Sequence, residues 1–150
     1  MTVSVLSAAR HMAERSGWSL TNLQLQKLIY LAHMFYMGRN EGEPLVHGTF
    51  EAWDYGPVHP QLYARARIYG SSPVQNIFAG VTDISNTPEG AILNEAYDAL
   101  GDTQPGQLVN ITHTSGGAWD NVYIPGARHI SIPNAEILRE YNEKGYDDVE

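Results

Sequence analysis

The 150-residue sequence contains no cysteine, which excludes a disulfide scaffold, thiol catalysis and every cysteine-ligated zinc or iron–sulfur site. Positive charge is scarce too: nine Lys and Arg stand against 17 Asp and Glu, a net charge of −8 with histidines neutral. Neutralising a phosphate backbone takes a surplus of cations on one face, so a general nucleic-acid binder is not expected. Long apolar runs are also missing. The longest, Leu28 to Met37, is interrupted by His33 and falls far short of the roughly 20 residues that span a bilayer. The Ser-interrupted run from Val3 to Ala9 has no basic residue before it. It does not read as a signal peptide, and a cytoplasmic protein with no membrane association is expected.

Against these absences stands a hydrophobic content of 43% with three Trp and nine Tyr, the composition of a folded globule. At this length one domain removes about 70% of the unfolded surface from water, so no metal or disulfide staple is needed. Charge divides unevenly along the chain. Residues 1–79 hold six basic and five acidic residues (+1), whereas 80–150 hold three and twelve (−9). Five acids and one Lys fall between Glu140 and Glu150, so a single domain over 1–142 followed by a mobile acidic tail over 143–150 is expected. Such a tail either keeps the protein soluble or offers a surface to a basic partner, with Asp147, Asp148 and Glu150 as candidate contacts.

Val5, Leu6, Ala9, Met12 and Ala13 recur at helical spacing before Gly17 and predict a helix over 3–15. Thr21 and Gln24 form a capping box flanked by the staple pair Leu20 and Leu25. The stripe Leu25, Leu28, Ile29, Ala32, Phe35 and Tyr36 then predicts a helix over 22–37 at the centre of the core. Alternation from Val46 to Tyr55 predicts an antiparallel hairpin turning near Gly48, ended by Tyr55-Gly56-Pro57-Val58. Further helices are expected from Pro60 to Gly70, Thr87 to Gly101, Pro105 to Thr112 and Ser131 through Tyr141. Between them lie a long connection over 70–88 anchored by Ile77 and Phe78, an irregular turn at Trp119 and an edge strand at His129 to Ser131. The expected fold class is mainly α (α+β): a compact single domain of five to six helices with a small antiparallel sheet of two to three strands.

The residues offer little conventional chemistry. None of the six histidines (His11, His33, His47, His59, His113, His129) falls into an H-E-x-x-H or H-x₃-H arrangement, and ordinary core or surface roles are expected of them. The nucleophile elbow G-x-S-x-G is absent, and Gly116-Gly117 lacks the Gly-Lys-Ser/Thr ending of a phosphate loop. Glu51 and Asp54 flank Trp53 and would serve a small hydrolase as acid and base, or simply form a solvated hairpin edge. The helix pair 3–15/22–37 also admits a DNA-contacting regulator reading base edges with Asn22, Gln24, Gln26 and Lys27, although the acidic chain supplies few phosphate contacts.

The block Leu20-Thr21-Asn22-Leu23-Gln24-Leu25-Gln26-Lys27-Leu28-Ile29-Tyr30, followed about twenty residues later by Glu51-Ala52-Trp53-Asp54-Tyr55-Gly56-Pro57-Val58, resembles the Panacea-domain family. That family includes SocA-like antitoxins and related proteins of phages and mobile elements. Thr112-His113 and Trp119 extend the similarity, which departs from the family at Gly116-Gly117-Ala118, where a Pro or compact turn usually precedes the Trp. The resemblance implies a non-enzymatic protein, without cofactor or metal, that neutralises a cognate toxin by binding it. In the SocA-like branch it further implies an adaptor delivering the toxin to a ClpX-type unfoldase and its protease. Leu25, Leu28, Ile29, Trp53, Gly56, Pro57, Val58 and Trp119 are expected to maintain the fold, leaving Gln24, Lys27 and Tyr55 as candidate partner contacts.

Overall fold

Thr21 starts the helix around which the rest is arranged. In the computed structural model, which describes residues 1–127 and 129–144, the Thr21 hydroxyl accepts the Gln24 N–H at 3.3 Å. The Gln24 side chain accepts the Thr21 N–H at 2.9 Å in return. This reciprocal cap opens α2 (Asn22–Arg39), with Leu20 and Leu25 both buried beside it. The expected tail contacts Asp147, Asp148 and Glu150 lie outside the described residues.

The one-sided stripe expected for α2 is a wider feature in the structure. Every residue from Leu25 to Met34 is buried, because α1 (Val5–Arg15), α4 (Pro88–Leu100), α5 (Pro105–Thr112) and α7 (Asn134–Lys144) all pack against this helix. A helix enclosed on all sides has no solvated face for its polar residues. Gln26, Lys27 and His33 are therefore buried with it. The remaining elements are β1 (Glu51–Trp53), β2 (Gly56–Val58), α3 (Pro60–Ala66), a 3₁₀ turn over Arg67–Tyr69, and α6 (Ala118–Val122). Among the described residues this makes seven α-helices and one two-stranded sheet, a mainly helical fold. No described helix is long and apolar enough to cross a membrane.

The hairpin differs from the expectation. Its turn is at Asp54-Tyr55 rather than near Gly48, and Gly56-Pro57-Val58 is its second strand, with Trp53 opposite Gly56 and Glu51 opposite Val58. Pro57 is tolerated because its partner Ala52 directs its own N–H the other way, to the Ile130 carbonyl at 2.8 Å. That pair needs no donor from proline. The edge strand at 129–131 reduces to one bridge between Glu51 and Ser131, reinforced by the Ile132 N–H on the Phe50 carbonyl at 2.8 Å.

Trp119 lies in the short helix α6, not an irregular turn. Its N-terminus is capped from a distance: the Ala118 N–H donates to Glu140 Oε1 of α7 at 2.6 Å, a partner that local patterning does not reveal. The final helix starts at Asn134, after Pro133. In the connection after Gly70, Val74, Phe78 and Ile84 are buried while Ile77 is half-buried. The Val74 N–H bonds the Leu20 carbonyl at 2.8 Å and the Arg10 guanidinium bonds the Val81 carbonyl at 2.6 Å, so this stretch is tied down despite its loop composition.

Leu28 is 0% exposed at the centre of α2. Leu28→Ala is therefore expected to cost about 2–5 kcal/mol through lost burial and a residual cavity. Urea unfolding measures it, and an unchanged midpoint would place the core elsewhere.

Candidate functional site

The two signature blocks meet in space, and buried polar groups join them. Gln26 Oε1 accepts the His59 N–H at 2.7 Å, and its Nε2 donates to the His59 carbonyl at 3.4 Å and to Asn22 Oδ1 at 3.2 Å. One residue on, the Lys27 ammonium donates to the Pro57 carbonyl at 2.9 Å. Lys27 is 1% exposed, and among the described residues no carboxylate forms an ion pair with it. Burial penalises its charged form and pushes its pKa down to about 7. Gly56 faces this amino group. Its φ is +112°, and a Cβ there would come within 2.8 Å of both Lys27 Cε and Thr112 Oγ1. Glycine is required both for conformation and for room.

The opposite side of the hairpin is held by an aromatic group. Trp119 Nε1 donates to the Trp53 carbonyl at 2.7 Å. The Trp119 ring stacks on His113 at 3.6 Å and on Tyr123 at 4.4 Å between centroids. Tyr123 donates its hydroxyl to Asp54, which holds the phenol's pKa up. The Trp53 ring meets Tyr63 of α3 edge-on at 4.7 Å, and its Nε1 donates to Glu51 at 2.9 Å. Burial and, to a lesser degree, the nearby Lys27 charge push the His113 pKa down, and among the described residues its buried Nε2 has no hydrogen-bond partner.

The candidate residues therefore fall into distinct places. Leu25, Leu28 and Ile29 are fully buried, and Gly56, Pro57, Val58 and Trp119 are buried around the hairpin, with Trp53 half-buried. Of the candidate partner contacts, Tyr55 stands 70% exposed at the turn. Gln24 is occupied by the helix cap, and Lys27 lies inside, so it offers no surface cation. The same placement corrects the DNA alternative: Gln24, Gln26 and Lys27 are committed to internal contacts and cannot read base edges. Glu51 and Asp54, the acid and base of the hydrolase alternative, are used to hold Trp53 and Tyr123. Among the described residues no three His, Asp or Glu side chains converge as a metal site.

Sequence patterning missed the clamping role of Gln26, the backbone of His59 as its partner, and Glu140 as a remote cap. One signal was present for the first of these: Gln26 and Lys27 interrupt a segment that is otherwise apolar from Leu25 to Leu31 apart from Tyr30's hydroxyl, and buried polar groups need partners. Between the start of α2 and the hairpin turn the surface sinks into a cleft of about 530 Å³. Asn22, Leu23, Lys27, Trp53, Tyr55 and Tyr63 are among its walls, which are mostly apolar.

The Lys27 arrangement has a pH signature. The amino group holds its proton up to about pH 7 in the folded protein but to 10.5 in an unperturbed chain. Between those values the unfolded state binds more protons, so stability should rise with pH from 7 to 9. Lys27→Met, which carries no titrating amine, should flatten that rise. Urea midpoints at both pH values measure it, and parallel curves for the two proteins would contradict it.

The family model described as "Antitoxin SocA-like, Panacea domain" matches residues 25–120, which include α2 from Leu25 onward, the hairpin and Trp119. Antitoxin SocA of Caulobacter vibrioides (strain NA1000 / CB15N) is 37% identical over 111 residues, 67% of this chain. The chain matches 58% of that relative's length. No solved structure matches. With more than half of its length matched, including the second signature block and the later half of the first, the chain belongs to the SocA-like, Panacea-domain antitoxin family.

Proposed function

We propose that this protein is an antitoxin that neutralises a cognate toxin by direct protein binding, without catalysis. The observation that carries the reading is the match to Antitoxin SocA within a family-model match over residues 25–120. The geometry supports it. A hairpin braced on both sides presents Tyr55, an exposed aromatic of the kind that anchors protein interfaces. The toxin would cover a surface of standard size, about 1,600 Å² in total. Asp147, Asp148 and Glu150 complete the proposal as acidic groups that steer a basic toxin toward the complex.

Two modes are open to such an antitoxin. It blocks the toxin's working surface, or it hands the toxin to a ClpX-type unfoldase for proteolysis. Inducible expression of the neighbouring gene's product should arrest bacterial growth, and co-expression of this chain should restore it with the two proteins purifying as a complex. A toxin level that falls only in cells holding the ClpX-type unfoldase indicates delivery. A constant level indicates blocking. Growth that stays arrested, with no complex formed, would overturn the antitoxin reading.

A further inference from the structure

The cleft at the hairpin turn joins aromatic walls to a carboxylate. Trp53, Tyr55 and Tyr63 line it, and so does Asp54 of the turn. The Trp53 and Tyr63 rings meet at 4.7 Å with 63° between their planes, and the Trp53 indole N–H is held by Glu51. This corner is therefore fixed from within the chain. Asp54 and Tyr55 are both exposed. Asp54 Oδ1 accepts the Tyr123 hydroxyl, and among the described residues no cation pairs with either carboxylate oxygen. The lysine in the cleft wall does not supply one. Its buried ammonium is turned inward to the Pro57 carbonyl, and it loses its proton near pH 7.

Aromatic faces carry negative charge density, and Asp54 adds a full negative charge. Such a wall repels an anion, and a purely apolar body leaves the carboxylate without a partner. A cation on an apolar stem matches both features. Of the two basic side chains, arginine fits better, because its planar, weakly hydrated guanidinium stacks on aromatic rings while its edge forks onto a carboxylate.

We propose that the cleft receives an arginine side chain of a protein partner, the guanidinium lying against Trp53 and Tyr63 and pairing with Asp54. At about 530 Å³ the cleft is of the size that takes a small ligand, and a chain of net charge −8 draws basic segments toward it. The inference deepens the antitoxin reading and rests on it for the identity of the partner: the arginine would be the toxin's.

The test titrates the full chain at pH 8, above the pKa of Lys27, with the peptide N-acetyl-Ala-Arg-Ala-amide and with versions carrying citrulline, lysine or leucine in place of the arginine. Backbone amide shifts of residues 53–56 and the Trp53 indole N–H report binding. Citrulline keeps the planar head and removes the charge. The arginine peptide should shift these signals saturably, binding at least about fivefold tighter than the citrulline and leucine peptides and tighter than the lysine peptide. Asp54→Asn, which keeps an acceptor for Tyr123, should lower the arginine-to-citrulline ratio at least about twofold. Citrulline or leucine binding as well as arginine overturns the proposal, as does a ratio unchanged in Asp54→Asn, a tighter lysine peptide, or shifts only away from the hairpin. Should the variant fail to fold, the ratio in the natural protein decides, since a charge-based preference shrinks between about 0.02 and 0.3 M salt and a salt-independent one overturns the pairing. The peptides need no toxin. Their failure beside intact growth rescue removes this site alone, whereas arginine binding beside failed rescue removes the antitoxin reading and leaves the site.

Discussion

The structure depends on two polar side chains in the middle of a helix that is enclosed there on every side. Gln26 and Lys27 lie in the stretch from Leu25 to Met34 that is buried throughout, and burial obliges each to find a partner. Both find the same one, the strand and link formed by Pro57 and His59. A two-stranded hairpin of three-residue strands is unstable in water by itself. Here the backbone that follows its turn is bonded to the most deeply buried helix of the molecule. Removing Gln26 would strand the His59 N–H in the interior, which costs about 1–3 kcal/mol.

From that attachment the outer contacts follow in sequence. With β2 fixed on α2, β1 offers the Trp53 carbonyl to Trp119, and the stack of Trp119 on His113 and Tyr123 closes over it. Trp119 in turn is placed by α6, whose first N–H is capped by Glu140. Burial raises the pKa of that carboxyl, an unfavourable term that the capping bond offsets. The result is a turn at Asp54-Tyr55 braced from α2, α3, α6 and α7.

Legibility in the sequence followed the range of the interactions. The capping box, the staple and Gly17 at φ +70° act within a few residues, and they marked α1 and α2 correctly. The proline-led starts of α3, α4 and α5 were readable for the same reason. The hairpin was displaced because Pro57 reads locally as a terminator, and only the direction of the Ala52 N–H makes it acceptable as a strand residue. Lys27 looked like a surface contact because a lysine in a capped helix ordinarily is one. Its burial is set by the hairpin lying across it, some thirty residues away. The cap from Glu140 and the anchoring of Val74 and Ile84 are likewise long-range, and periodicity carries no trace of them.

The central claim is that the hairpin and α2 form one cooperative unit through Gln26. The amide hydrogen of His59, bonded to Gln26 at 2.7 Å, reports on it directly through native-state hydrogen exchange across a urea series. The account predicts that this amide exchanges only by the global unfolding that also releases Leu28 and Ile29, with the same urea dependence. Exchange of His59 through a local opening insensitive to urea, while the α2 amides stay protected, would contradict it.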